Sequence, residues 1–264
     1  MKCITLSAVF LMVAPLVATA QDSRQEKIQQ EALNCAQQYN YNTNMRAWQD
    51  CLDKGLAQDS TIAYLWQQKA MPYFKCRKYE VGMGYLDKAV HYDRERWLPY
   101  RGFIKCIFQK NYAGAIADLE ACIAEYGNGY VMDHSYAFYI AISQLQLNRF
   151  AEAEVLLRAY TEEQEVKRGK DRVHHLGLFY WGIAQFELGN MDEALKHFNE
   201  ALRLYPNFPD AAYYRAICLK RQGAPAEKVE KLYNKAVEDA KNGYTINEDN
   251  AIYETYPYQV RWPK

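Results

Sequence analysis

Cysteine and histidine are the side chains of this sequence with covalent or metal-binding chemistry to offer, and their spacing narrows what that chemistry is. Of the seven cysteines, Cys3 falls before an apolar leader segment, and Cys35, Cys51, Cys76, Cys106, Cys122 and Cys218 lie beyond it. None stands in a Cys-x-x-Cys spacing, which leaves zinc or dithiol redox chemistry with little support. His174 and His175 are adjacent, and neighbouring residues on a helix point about 100° apart. No His-Glu-x-x-His pattern or carboxylate partner stands at a suitable spacing from them. The run from Glu162, Glu163 and Glu165 to Lys167, Arg168, Lys170, Asp171 and Arg172 reads as a solvated helix extension or connector. No Gly-x-Ser-x-Gly, phosphate-cradling glycine loop or paired-carboxylate signature occurs. The chain is therefore expected to be no enzyme and to need no cofactor and no metal.

The first residues address the compartment. Lys2 precedes an apolar run from Ile4 to Ala18, and Ala18, Thr19 and Ala20 stand just before polar Gln21. This is the pattern of a secretory signal peptide over residues 1–20. The run is short for a membrane span, no later stretch approaches about 20 unbroken apolar residues, and no cysteine follows it directly to take a lipid. An exported protein, periplasmic or secreted, is expected, in surroundings that permit disulfides. Lys plus Arg and Asp plus Glu number 32 each, and losing Lys2 with the leader leaves a charge of about −1. Neither nucleic acid nor an anionic membrane is suggested by that balance. Tyrosine is the compositional outlier, with 23 copies.

Six imperfect copies of a unit of about 34 residues occupy most of the chain. The fifth has Leu178, Trp181, Gly182 and Gln185 on a first helix, a turn at Gly189 and Asn190, then Met191, Ala194, Phe198 and Ala201 on a second helix ending before Pro206. The second copy places Trp66, Ala70 and Tyr73 ahead of Tyr79, Gly82, Leu86 and Ala89. The first offers Ala36 and Tyr39, then Met45, Trp48, Leu52 and Gly55; the third, fourth and sixth follow more loosely, the third disturbed by Pro99 and Phe103. Small residues recur where helices must approach closely and large ones fill the space beside them. The expected organisation is a leader at 1–20, an all-α solenoid of about six helical hairpins over 21–243, and an extended aromatic tail over 244–264.

These spacings resemble the tetratricopeptide repeat (TPR) family, whose unit pairs a Trp, Leu, Gly, Tyr pattern on the first helix with Ala, Phe, Ala and a terminal Pro on the second. The resemblance covers roughly Lys27 to Gly243. It implies a right-handed superhelical solenoid whose concave face, lined by first helices, holds a peptide or protein segment. One subgroup of the family grips a partner's terminal carboxylate with Lys, Asn and Arg on those helices. Here the matching positions are mostly Gln67, Met71, Tyr100, Ile104, Phe138 and Ile142, so no such clamp is expected.

The residues support a groove by themselves. Second helices such as Met191 to Tyr205 have one wet face, with Asp192, Glu193, Lys196, Asn199, Glu200 and Arg203 outside. First helices are apolar almost all round, as in LeuPheTyrTrpGlyIleAlaGlnPhe from Leu178. Their second face reads Tyr64, Gln67 and Met71; Tyr100 and Ile104; Phe138 and Ile142; Phe179 and Ile183; Tyr213 and Ile217. Either these residues pack between helices or they line a ligand groove, since an exposed apolar patch of that extent marks an interaction site. A peptide-binding scaffold or assembly factor is the leading expectation. A glycan binder using the groove aromatics, or an envelope enzyme using groove carboxylates, are the alternatives.

Two further features ask for a partner. Cys35 and Cys51 fall on facing helices of the first hairpin and are the best disulfide pair, with Cys76 and Cys106 a weaker candidate. Cys122 and Cys218 look like small buried packing residues. The tail from Tyr244 to Lys264 carries Ile246, Ile252, Tyr253, Tyr256, Tyr258, Val260 and Trp262, too apolar for a freely solvated segment. Pro257 and Pro263 favour an extended path. Docking is expected through Ile252, Tyr253, Tyr256, Tyr258 and Trp262. The tail caps the last hairpin, lies back along the chain's own groove with Lys220 or Arg221 meeting Glu248, Asp249 or Glu254, or anchors another protein.

Overall fold

The structure, a computed structural model, describes the backbone of residues 14–262 and the side chains of residues 21–262. The leader expected over residues 1–20 lies outside the fully described part. Two compact units divide the chain, the first ending at Asp93 and the second starting at Arg94. The first unit holds α1 (Ala14–Ala36), α2 (Met45–Gln58), α3 (Ala63–Lys75) and α4 (Tyr79–Tyr92). The second holds α5 (Arg94–Ile104), α6 (Tyr112–Tyr126), α7 (Tyr136–Gln146), α8 (Phe150–Arg168), α9 (His175–Glu187), α10 (Met191–Leu204), α11 (Pro209–Arg221) and α12 (Ala226–Lys241). Within each unit helices pack mainly on their sequence neighbours, as expected of an all-α solenoid in which each hairpin buries its apolar face on the next. No described helix is long and apolar enough to cross a membrane.

The helix boundaries follow local chemistry. The α9–α10 turn falls at Gly189, whose φ of +82° is the left-handed geometry in which glycine ends a helix. Helix α10 opens with Asp192 and Glu193 and closes with Arg203, charges that oppose the helix dipole at both ends. It buries Ala194, Phe198 and Ala201. A Cβ on Gly182 of α9 would sit 2.6 Å from the Phe198 ring, so glycine there sets how closely the two helices approach. In the third hairpin, where Pro99 breaks the repeat pattern, α5 runs into a π-helical turn over Lys105–Gln109 that ends at Lys110 with φ +59°. A short antiparallel hairpin, β1 (Tyr130–Val131) and β2 (His134–Ser135), is inserted before α7.

Cys35 of α1 and Cys51 of α2 form a disulfide with Cα atoms 5.7 Å apart. It sits in the first unit's core beside Ala32, Ala36, Leu52 and Leu56. Cys76 and Cys106 are free thiols, the first exposed and the second buried; the weaker pairing expected for them is not formed. Cys122 and Cys218 are fully buried packing residues. Closing a loop of 16 residues' separation stabilises the first unit by about 3 kcal/mol. The Cys35→Ser, Cys51→Ser variant is accordingly expected to lower the urea midpoint of that unit. Thiol titration of the denatured, unreduced processed chain is expected to find the four free cysteines, and a count of six would remove the bridge.

Candidate functional site

First-helix aromatics of the second unit, Phe103, Phe138, Tyr139, Phe179 and Tyr180, are among the largest fully buried side chains. Phe179 has its ring centroid 6.0 Å from Phe198, 5.0 Å from Phe208 and 5.9 Å from Tyr214. Phe138 lies 5.1 Å from Tyr160 and 5.6 Å from Tyr180. Both rings, with Ile142 and Ile183, have no exposed surface, and Ile104 and Gln67 are buried too. These six of the expected groove positions are therefore interhelical packing, unable to meet a ligand as placed. Tyr64, Met71, Tyr100, Tyr213 and Ile217 are half-buried and retain accessible surface.

The reason is angular. One residue along a helix turns the side chain by about 100°, and in the second unit the hydroxyls that hold another segment stand one residue later, on Tyr180 and Tyr214. That segment is the chain's own tail. Leaving α12 after Gly243 at φ +89°, it buries Ile246 completely and sets the Ile246 carbonyl 3.5 Å from His175 Nε2. Glu248 meets His134, and Asp249–Ile252 forms one short helical turn. The Lys110 ammonium donates to the Thr255 carbonyl. The tail then reverses at Tyr256 to Gln259, where the Gln259 N–H returns to the Tyr256 carbonyl at 3.1 Å with Tyr258 at φ +57°. This is the geometry of a β-turn with proline at its second position.

On the return path the Tyr180 hydroxyl donates to the Pro257 carbonyl at 2.9 Å and the Tyr214 hydroxyl to the Tyr258 carbonyl at 3.4 Å. The Val260 N–H donates to Asp210 Oδ1 at 2.6 Å. Asp210, fully buried in the first turn of α11, has its carboxyl pushed up to about 6 by burial, against the opposing effect of the Val260 hydrogen bond. Trp262 packs edge-on against Tyr213 at 5.8 Å. Tyr256 is 3% exposed, and its hydroxyl is raised well above the usual range by the same desolvation. Ile252, expected to dock, is 80% exposed, because the helical turn at 249–252 directs it outward. Of the contacts expected for the tail, Lys220 and Arg221 are replaced by Lys110 and His134; the Arg221 guanidinium instead lies 4.1 Å from the centre of the Phe186 ring.

The tail is thus a folded loop laid on the first helices rather than a cap on the last hairpin. Beyond its edge, Tyr213 and Ile217 line an open apolar cleft of about 490 Å³ with Val229 and Tyr233 from α12. In the first unit, Trp66, Tyr73 and Tyr85 stack on one another, with ring centroids 6.2 and 5.7 Å apart along the series Trp66–Tyr85–Tyr73. Lys88 lies 4.2 Å over the Trp66 ring.

A second group, which spacing along the chain could not reveal, gathers where the tail crosses the starts of α7 and α9. The tight turn at Met132, φ +51°, aims His134 inward from β2. There it stacks on Phe138 at 4.0 Å, places Nδ1 2.9 Å from the Tyr160 hydroxyl and Nε2 3.1 Å from Glu248. His174, the N-cap of α9, lies 4.8 Å from the His134 ring. Its N–H donates to Gln164 of α8 at 2.8 Å. Burial drives the two imidazoles down to about 4 and the Glu248 carboxyl up to about 8, the latter with help from the negative charges of Asp133 and Asp249. All three groups are thereby pushed toward their neutral forms. His134 and Glu248 escaped the sequence reading because they are separated by 114 residues. Asp210 had one local signal, its place directly after Pro209 at a helix start.

The sequence profile of the tetratricopeptide repeat matches residues 181–244, which span α10, α11, α12 and most of α9. A tetratricopeptide-repeat segment spans these residues. Three solved TPR-type structures share the fold over 68–84% of the chain. The type IV pilus biogenesis factor PilW is 13% identical over 84% of this chain and 95% of its own, with a TM-score of 0.60. A MamA fragment from Desulfovibrio magneticus is 12% identical over 68% and 96%, TM-score 0.56. YrrB, a TPR protein with an unusual peptide-binding site, is 18% identical over 72% and 93%, TM-score 0.51. No curated protein matches the sequence. In the frame of that fold α7, α9 and α11 are first helices, so the tail lies on the first-helix side of the last three hairpins.

Proposed function

We propose that the protein is an exported, non-catalytic scaffold or assembly factor that binds a peptide or protein segment along the first helices of its repeats. The observation that carries this reading is how the tail is held. Tyr180, Tyr214, Lys110 and Asp210 all engage its main chain. Side chains that grip carbonyls and an N–H accept any segment able to present the same groups, and flanking apolar contacts then add selectivity. A partner segment competes for this face with the tail, and the open cleft at Tyr213 and Ile217 supplies an apolar anchor at its edge. The half-buried Tyr64, Met71 and Tyr100 are the accessible first-helix positions elsewhere. YrrB has a peptide-binding site and PilW is a type IV pilus biogenesis factor, which accords with this reading.

The test uses the tail in trans. A chain ending at Gly243 is expected to bind a synthetic peptide of residues 244–264 with one-to-one stoichiometry by calorimetry, whereas the complete chain, its face already filled, is expected to give no heat. Tyr180→Phe deletes one hydroxyl without changing ring volume and is expected to weaken that binding about five-fold, from about 1 kcal/mol per hydrogen bond. A shortened chain that ignores the peptide at millimolar concentration would count against peptide recognition by this face. Export is tested by the mature N-terminus, which is expected at Gln21 in the envelope or secreted fraction.

A further inference from the structure

His134, His174 and Glu248 bring one potential ligand atom each to within 4.8 Å of one another, from β2, the N-cap of α9 and the tail. His174 and Glu248 border a shallow polar cleft of about 410 Å³ that Asp133, Asn247 and Asp249 also line, and His134 lies fully buried behind Glu248. We propose that this cluster is a binding site for a divalent transition metal of the zinc class, with one ring nitrogen from each histidine and the Glu248 carboxylate as ligands and Asp133 at the open side.

Three arguments support the assignment. The first is donor type: two imidazoles and a carboxylate select zinc, cobalt or nickel over the oxygen-seeking calcium and magnesium. Tetrahedral ligands about 2 Å from a metal stand about 3.3 Å apart. The His134 Nε2 to Glu248 distance of 3.1 Å already meets that spacing, and the widest separation must close by about 1.5 Å. The second is support around the ligands. The Tyr160 hydroxyl on His134 Nδ1, at 2.9 Å, fixes the ring so that Nε2 faces Glu248, as outer partners do for metal-bound histidine. Gln164 holds the His174 backbone, Phe138 backs the His134 ring, and the wholly buried Ile246 seats the tail two residues before Glu248.

The third argument is charge. Asp133 and Asp249 line the same cleft as Glu248. The cleft so gathers three carboxyl groups, and among the described residues no lysine or arginine forms an ion pair with Glu248, whose carboxyl oxygen lies 3.1 Å from His134 Nε2. A divalent cation would neutralise the carboxyl groups gathered there. It would also fasten the tail to β2 and the start of α9, since one ligand comes from the tail and two from the body, so that metal binding adds its free energy to tail closure. The site stands on these residues alone and does not depend on what the neighbouring face binds.

The experiment takes tag-free processed protein carrying Cys76→Ser, which removes the exposed thiol that would otherwise compete for metal. Cobalt(II) is titrated while its visible d–d absorption is followed, and zinc(II) is titrated by calorimetry. One equivalent of each is expected to bind with micromolar or tighter affinity, and zinc is expected to raise the melting temperature. Glu248→Gln keeps the size and hydrogen bonding of the side chain, and His174→Asn keeps an N-cap. Each is expected to raise the Kd for both ions at least ten-fold while retaining the wild-type far-ultraviolet dichroism. Absence of a one-equivalent binding event in the parent protein, or an unchanged Kd in both variants, overturns the site.

Discussion

Removal of Tyr244 to Lys264 is expected to lower the thermal midpoint of the second unit by roughly 6–12 °C, corresponding to about 3 kcal/mol for a unit of this size. Ile246 and Tyr256 are buried in the body of the protein, and each fully buried side chain of this kind contributes about 1.5–3 kcal/mol. Deletion also uncovers the ring of Tyr180 and takes the hydrogen-bond partners from Asp210 Oδ1 and His134 Nε2. Against these losses stands the entropy returned to the released residues, about 1–2 kcal/mol each for backbone order, which holds the net effect to a few kcal/mol. Calorimetry of the complete and shortened chains decides the matter. An unchanged midpoint would mean that the tail contributes nothing to the fold, and with it the face would lose its native occupant.

Phe179→Ala is expected to cost about 3–5 kcal/mol, the range for truncating a large aromatic in a packed core, and so to lower the midpoint by roughly 6–20 °C. The ring has no exposed surface and meets Phe198 of its own hairpin together with Phe208 and Tyr214 of the next. Its loss opens a cavity shared by two repeats. Tyr213→Ala, at the matching position of the last repeat, removes a half-buried ring and is expected to cost about 1 kcal/mol. The contrast separates packing from binding. If both variants melted alike near the wild-type temperature, Phe179 would be a surface residue and the sequence-derived groove would regain it.

Tail and face together define how this protein would be controlled. The residues that hold the tail are divided between rigid first helices and the tail itself, so whatever loosens the clip at Glu248 frees Tyr180, Tyr214 and Asp210 at once. A cation at His134 and His174 would act in the opposite direction. Under the proposed function, occupancy of the face by an external segment and closure of the tail would compete, and each is expected to shift the other by its own binding free energy.

The repeat hairpins were legible in the sequence because their determinants are local. Gly189 marks a turn by its left-handed backbone, the Ala194, Phe198 and Ala201 series marks a buried face, and charges at Asp192, Glu193 and Arg203 mark helix ends, each within a few residues of the others. Cys35 and Cys51 were legible for the same reason, since one hairpin brings them together. The apolar tail, too, announced that it must dock. Which side of a first helix faces its neighbours was not legible: a step of one residue, about 100°, separates packed Phe179 from tail-bearing Tyr180, and both are aromatic. Only the packing of α9 between α8 and α10, with α7 and α11 in further contact, decided between them. Likewise His134, His174 and Glu248 carry no common spacing. They meet because a two-residue hairpin turn, a helix N-cap and a folded tail converge, and that convergence exists only once the chain has closed on itself.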